Sequence, residues 1–202
     1  MPATAKAAIG FSPHSGWAAA VGIGEAGGEP RVLMRRRLEM ADAGDPNSRQ
    51  PYHAVEGLPV PEARNRLEAF QAEASRLAYE GLADAIRELE RNGHRVVGIG
   101  ILDSSGRKAS SLEVTLSSHA LIHTADGDHF RTALVNAAAR CRLGALRVRA
   151  RDLDAEASAT IGRTPVALRQ ALAALGREVG PPWAADQKSA ALVAWLVLRN
   201  GN

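Results

Sequence analysis

Three histidines and two acids fall within eleven positions of one segment, His119-Ala-Leu-Ile-His123-Thr-Ala-Asp126-Gly-Asp128-His129. Imidazole nitrogens and carboxylate oxygens are common ligands of divalent metals and common general acids and bases. If the backbone is helical here, His119 and His123 share a face at the four-residue spacing that supports one shared ion. His123 and Asp126 are then candidate metal ligands, and His119 a candidate ligand or base. The segment is not HExxH, and Asp126-Gly127 predicts a break before the next helix, with Asp126 or Asp128 as its N-cap. A capped helix junction and a metal site are both open readings.

A second group is Leu146-Arg147-Val-Arg149-Ala-Arg151. In a strand, period two puts Arg147, Arg149 and Arg151 on one side and Leu146, Val148 and Ala150 on the other. Such a row can hold phosphates through charge-assisted contacts, which makes these three the candidate nucleic-acid-binding residues. It can equally pair with Asp152, Asp154 and Glu156. Other signatures fail. There is no phosphate-binding GxxxxGKS/T loop and no GxSxG elbow. Gly22-Ile-Gly24-Glu-Ala-Gly27 fits GxGxxG but sits in a predicted hairpin. Cys141 is placed on the apolar stripe of a helix, as a core residue.

The elements that must position these groups follow from punctuation and period. Short apolar runs at 6–11, 17–24 and 31–40 are separated by Gly/Pro/Ser turns, which predicts a three-stranded meander. Arg35-Arg36-Arg37 in its third strand should alternate between faces. Residues 41–60 show no period and read as a long connection, whose Tyr52, His53 and Glu56 can reach over a neighbouring site. A helix from Pro61 to Asn92 carries an apolar stripe through Leu67, Phe70, Ala74, Leu77, Ala78, Leu82, Ala85, Ile86 and Leu89. A nearly continuous apolar strand, 94–102, ends at Asp103-Ser-Ser-Gly106. A short helix (111–119), a longer one (125–143), a fifth strand (145–150) and helices near 152–161, 165–175 and 183–199 complete the chain.

Three strands, helix, strand, helix, strand, helix predicts an α/β domain with a mixed sheet, a three-stranded antiparallel meander plus two parallel strands, flanked by helices. The order resembles the ribonuclease H-like fold, and the first turn is similar to that of RuvC-type junction resolvases. The resemblance implies a nuclease that holds Mg²⁺ or Mn²⁺ between carboxylates at the strand ends. It implies Asp103 as the fourth-strand acid and Asp186 as the acid on the last helix. It departs at the first strand. Ile9-Gly-Phe-Ser12-Pro-His14 has no carboxylate, so Ser12 or His14 occupies that place, unless Glu56, Glu73 or Glu80 substitutes. His14 is then a candidate ligand for a softer metal or a candidate base. The bland alternatives are that Asp103 is a turn acid and Asp186 a helix N-terminal acid. Any ligand site is expected where the first turn, the end of the fourth strand and the start of the last helix meet.

Composition bounds these readings. The chain has 202 residues, 46% hydrophobic and 23% charged, which is globular and needs no disulfide to stabilise its core. It reads as one domain over 1–202, with the long loop at 41–60 and a helical part at 152–202. No apolar run approaches the ~20 residues that span a bilayer, and no secretory signal is evident. One cysteine permits no internal disulfide, which fits a cytoplasmic setting. Residues 140–202 carry a net charge of +5 against −2 for the rest, a basic third suited to a polyanion. Two functions follow as expectations. One is a metal-assisted nucleic-acid phosphodiester hydrolase with His14, Asp103, His119 and Asp186 in catalysis. The other is a non-catalytic nucleic-acid- or protein-binding module that lost the first acid.

Overall fold

The computed structural model describes residues 5–104, 106 and 109–200; Ser105, in the predicted turn after the fourth strand, and residues 1–4 lie outside the described residues. The meander forms as the turn chemistry requires: β1 (Ala5–His14), β2 (Trp17–Ala26) and β3 (Glu29–Glu39) pair antiparallel in sequence. β4 (His94–Asp103) then pairs parallel with β1, and β5 (Ala145–Arg149) pairs parallel with β4. The sheet order is β3-β2-β1-β4-β5, the mixed ribonuclease H-like arrangement.

Helices cover both faces, and strand alternation assigns each side chain to one of them. Ile9, Phe11, Ile99 and Ile101 are buried with Ala78, Leu82 and Leu89 of α2 (Val60–Arg91) and with Phe130 and Leu134 of α4 (His119–Arg140). Ala8, Val21, Leu102 and Val148 face the other way. They pack with α5 (Leu153–Ile161), α6 (Pro165–Val179) and α7 (Ala185–Asn200), whose Trp195 is fully buried. Gly10 and Gly100 are register partners on β1 and β4. They leave a flat seat on which α7 lies, since a Cβ at Gly10 would stand 1.8 Å from the Ala190 carbonyl oxygen.

Four expectations are corrected. Residues 41–60 are not a structureless connection. They hold a 3-10 turn, Pro46–Arg49, and a short helix α1, Pro51–Ala54. Side chains organise this stretch where periodicity could not: Asp45 accepts from the Asn47 amide, and buried Ser48 donates to the carbonyls of Asp42 and Asp45. The break predicted at Asp126-Gly127 does not occur either. α4 starts at His119, after a shorter α3 (Leu112–Leu116), and runs through Gly127, so neither Asp126 nor Asp128 is an N-cap. Cys141 is the C-cap residue of α4 and only half-buried. Arg151 lies in the turn beyond β5, off the strand face shared by Arg147 and Arg149.

The meander arginines alternate as expected. Arg35 donates to the carbonyls of Gly180 and Pro182, which fixes the turn before α7; Arg36 crosses to Glu88 of α2; Arg37 pairs with Glu39 on the strand edge.

Candidate metal centre

Because α4 is unbroken, His119 and His123 stand one turn apart on the same face, with their Nε2 atoms 3.0 Å from each other. α1 is laid against them and brings His53, whose ring centroid is 5.2 Å from that of His119 and 4.5 Å from that of His123. One ligand atom from each of the three lies within 4.8 Å of the others. Nitrogens that share a tetrahedral ion at about 2.0–2.1 Å are roughly 3.3 Å apart, so small side-chain rotations suffice to close the set. Among the described residues, no other group of three such ligands converges.

Asp126 builds this centre without joining it. It is 2% exposed, one Oδ accepts from the Tyr52 amide at 2.7 Å, and the other meets His53 Nδ1. Both oxygens of this predicted ligand are therefore spent on α1. A proton held on His53 Nδ1 by Asp126 leaves the Nε2 lone pair directed outward, the tautomer a metal needs. Burial pushes the Asp126 carboxyl above the usual carboxylate range, against the hydrogen bonds from Tyr52 and His53 that lower it. His119 and His123 are exposed and His53 half-buried, so the face toward solvent is open. Sequence reasoning found the α4 pair but placed His53 only near a site. The signal it passed over was Pro51, a residue favoured at the first position of a helix, which would have marked α1.

The sheet-edge candidates divide between the two faces. On the α7 side, Asp186 accepts from Ser12 Oγ at 3.2 Å, and His14 Nε2 lies 2.9 Å from the same oxygen. His14 also stacks on Trp17, with ring centroids 4.3 Å apart and 9° between planes. Two of the three predicted neighbours, the first turn with its His14 and the start of α7, thus meet; the end of the fourth strand does not join them. The Ser12 hydroxyl is given to Asp186 rather than to His14, so this is not a nucleophile–base pair.

Asp103 faces the opposite layer. Arg147 grips it with two bonds, 3.1 and 2.9 Å, and reaches Asp128 at 2.7 Å; Arg131 stands 3.7 Å away. A carboxylate neutralised by two guanidinium groups is a poor ligand for a hard cation. With Ser12 in place of an acid and Asp103 turned away from Asp186, the strand ends do not fit a Mg²⁺ or Mn²⁺ site of shared carboxylates. Glu73 and Glu80 pair with Arg76 along α2. Arg147, expected at a phosphate, is committed to Asp103 and Asp128, and Arg149 and Arg151 lie against Asp152.

His129 leaves the cluster altogether. The helix turns it inward, where it is 4% exposed and its ring stands edge-on to Tyr52. Burial pushes its imidazole down to about 4. An unfolded histidine takes up a proton near 6.5, so between pH 6.5 and 4 the unfolded chain binds more protons than the folded one. Stability from this group is therefore intact above pH 6.5 and falls as the pH drops to about 4, by roughly 3 kcal/mol in all. Urea titrations across that range should show this loss in the wild type and not in His129→Phe.

No protein-family profile matches the sequence, and no curated protein matches it. Among solved structures, the chain superposes on RuvC of T. thermophilus in complex with a Holliday junction substrate, with a TM-score of 0.49 and 12% identity, covering 95% of this chain and 91% of that one. It superposes on a second Thermus thermophilus RuvC structure with a TM-score of 0.48 and 10% identity, covering 95% and 92%. The fold assignment rests on the strand order and pairing described above.

Proposed function

We propose that the protein is a transition-metal-dependent hydrolase whose ion is held by His53, His119 and His123. One observation carries this reading: three imidazoles from two separate elements converge, and a buried acid orients one of them. Three neutral nitrogens suit Zn²⁺, Co²⁺ or Cu²⁺ and not Mg²⁺ or Mn²⁺, which take oxygen. A three-histidine set leaves a coordination position open, and an ion bound there supplies Lewis acidity and a water acidified toward neutrality. Asp126 keeps His53 in the ligating tautomer, and the exposed side of His119 and His123 admits substrate. Phosphodiesters of nucleic acid are the substrate class supported by the ribonuclease H-like sheet order and the basic C-terminal third. Arg149 and Arg151, with side chains 55% and 60% exposed, remain able to exchange Asp152 for a phosphate.

The test is a cleavage assay on single-stranded and branched DNA with chelator-stripped protein reloaded separately with Zn²⁺, Co²⁺, Mn²⁺ and Mg²⁺. Cleavage restored by Zn²⁺ or Co²⁺, and absent in His123→Ala, is the expected result. A second reading has its own support. Ser12 replaces the first-strand acid and Asp103 is neutralised by arginine, which favours a binding module without turnover. Tight Zn²⁺ and DNA binding without cleavage of any substrate would reject the hydrolase and favour that module.

A further inference from the structure

Where β2 and β3 meet the start of α7, a groove of about 440 Å³ is lined by Trp17, Ala19, Arg35, Arg37, Pro182 and Gln187 among others. The lining is of two kinds. Trp17, Ala19 and Pro182 offer uncharged surface, and Arg35, Arg37 and Gln187 carry N–H donors. Arg35 and Arg37 are two residues apart on β3, so both leave the same face of the strand, about 6.6 Å apart along it.

The donors are held in place but not used up. Arg35 gives three N–H bonds to the carbonyls of Gly180, Pro181 and Pro182, which fix the guanidinium and carry no charge to cancel its own. Among the described residues, Arg31, Arg36 and Arg37 of β3 each have a carboxylate partner and Arg35 has none. Two of the five N–H groups of Arg35 are left. Arg37 lies over the Trp17 ring, 3.8 Å from its centroid, and gives only its Nε to Glu39. The two side chains of that pair are 46% and 53% exposed, and exposed pairs contribute little and exchange readily. Gln187 accepts from the Ala184 amide through Oε1, which leaves its NH₂ group to donate. Two like charges on one strand face repel each other, and an anion between them removes the repulsion. Guanidinium groups at that spacing suit the several oxygens of a phosphate.

Water has about 30 Å³ per molecule in the liquid, so the groove holds about fifteen waters' volume, more than one inorganic phosphate fills and within the range of small-molecule sites. We infer that this groove binds a phosphate ester carried on a flat, uncharged ring body, the class to which nucleotides belong. The phosphate oxygens accept from Arg35, Arg37 and Gln187, and the ring body covers Trp17, Ala19 and Pro182. Such a phosphate comes either from a free nucleotide or from a nucleic-acid chain. The groove belongs to the α7 side of the sheet, the histidine centre to α1 and α4, and the groove needs no ion, so it stands or falls separately from the hydrolase reading.

Deoxyadenosine monophosphate and deoxyadenosine, titrated by calorimetry into full-length, chelator-stripped protein, decide it. The nucleotide should bind, and the nucleoside at least tenfold more weakly. Gln187→Glu keeps the oxygen that accepts from the Ala184 amide and replaces the donor by a negative oxygen, so it should weaken the nucleotide at least tenfold without disturbing the start of α7. Arg37→Gln should do the same, and Arg31→Gln, on the same strand but paired with Glu178, should not. In the wild type, the indole N–H resonance of Trp17 should move on adding the nucleotide, a readout that does not depend on a variant folding. A deoxyadenylate pentamer separates the two sources: tighter competition than the mononucleotide means a nucleic-acid chain, and no gain means a free nucleotide. No binding of the nucleotide, equal binding of the nucleoside, unchanged affinity in Gln187→Glu, or an unmoved Trp17 resonance would each overturn the inference.

Discussion

Zn²⁺ binding to His123→Ala is expected to be weaker than to the wild type by 100-fold or more. The reason is geometric. His119 and His123 are positioned by α4 alone, but two imidazoles on one helix make a modest site. The third, His53, comes from a segment more than sixty residues away in the chain, held by Asp126. Losing any of the three leaves two ligands for an ion that takes four. Asp126→Asn should cost less, about 10- to 100-fold, the range seen when an outer hydrogen-bond partner of a ligating histidine is removed. The order His123→Ala worse than Asp126→Asn separates a ligand from a group that orients one. Co²⁺ absorption and Zn²⁺ calorimetry measure both. Because the ion would tie α1 to α4, free Zn²⁺ at 100 times the dissociation constant should also stabilise the wild type by about 2.7 kcal/mol. Equal affinities for wild type and His123→Ala would remove the centre.

This site was only half visible in the sequence. The four-residue spacing of His119 and His123 is local, and a helix converts it directly into proximity. His53 joins them through a tertiary contact, and no period in 41–60 announces it. That segment is organised by Asp45, Ser48 and Asp126, polar side chains that bond to backbone groups, and such bonds leave no hydrophobic pattern to read. The Asp126-Gly127 pair misled for a related reason. Asp and Gly are common at helix starts, but the buried face of α4 runs through Ile122, Asp126, Phe130 and Leu134 and holds the helix together across them. Packing there outweighs local propensity.

The sheet was more legible because its cause is repetitive. Turn residues at short intervals separate β1, β2 and β3, and the long apolar run of β4 matches a strand covered on both faces. The carboxylates at its edge were harder. Asp103 and Asp186 lie at plausible ends of plausible elements, yet alternation along β4 turns Asp103 toward α4 while Ser12 and His14 meet Asp186 on the α7 side. A one-residue difference in phase decides which layer a strand-end acid enters. Arg147, one strand over on β5 with the same facing, then captures Asp103.

Gly10→Ala is expected to destabilise the fold by about 3 kcal/mol or more, at the upper end of what overpacking a core costs. The added Cβ would meet the Ala190 carbonyl oxygen at 1.8 Å and the Ala194 amide nitrogen at 2.8 Å. These are backbone atoms of α7, so no side-chain rotation relieves the clash and the helix must lift as a unit. Lifting it strips β1, β2 and β4 of the packing made by Ala190, Val193, Ala194 and Trp195, the centre of the second core. A Cβ at Gly100, the register partner of Gly10, would meet the Val193 carbonyl oxygen at 2.8 Å in the same way, so the seat has no adjacent room to yield. Total stabilities of about 5–15 kcal/mol make this a large fraction of what holds the domain. Gly144→Ala is the matched control, since a Cβ there meets nothing within 4 Å and the residue has no left-handed backbone to strain. Urea denaturation should show a large drop in midpoint for Gly10→Ala with little change in slope, and a near-normal midpoint for Gly144→Ala. A Gly10→Ala loss below about 0.5 kcal/mol, the range of surface substitutions, would mean that α7 is not seated on β1. The start of the same helix carries Asp186, so the seat that Gly10 provides also sets where Asp186 meets Ser12 and His14.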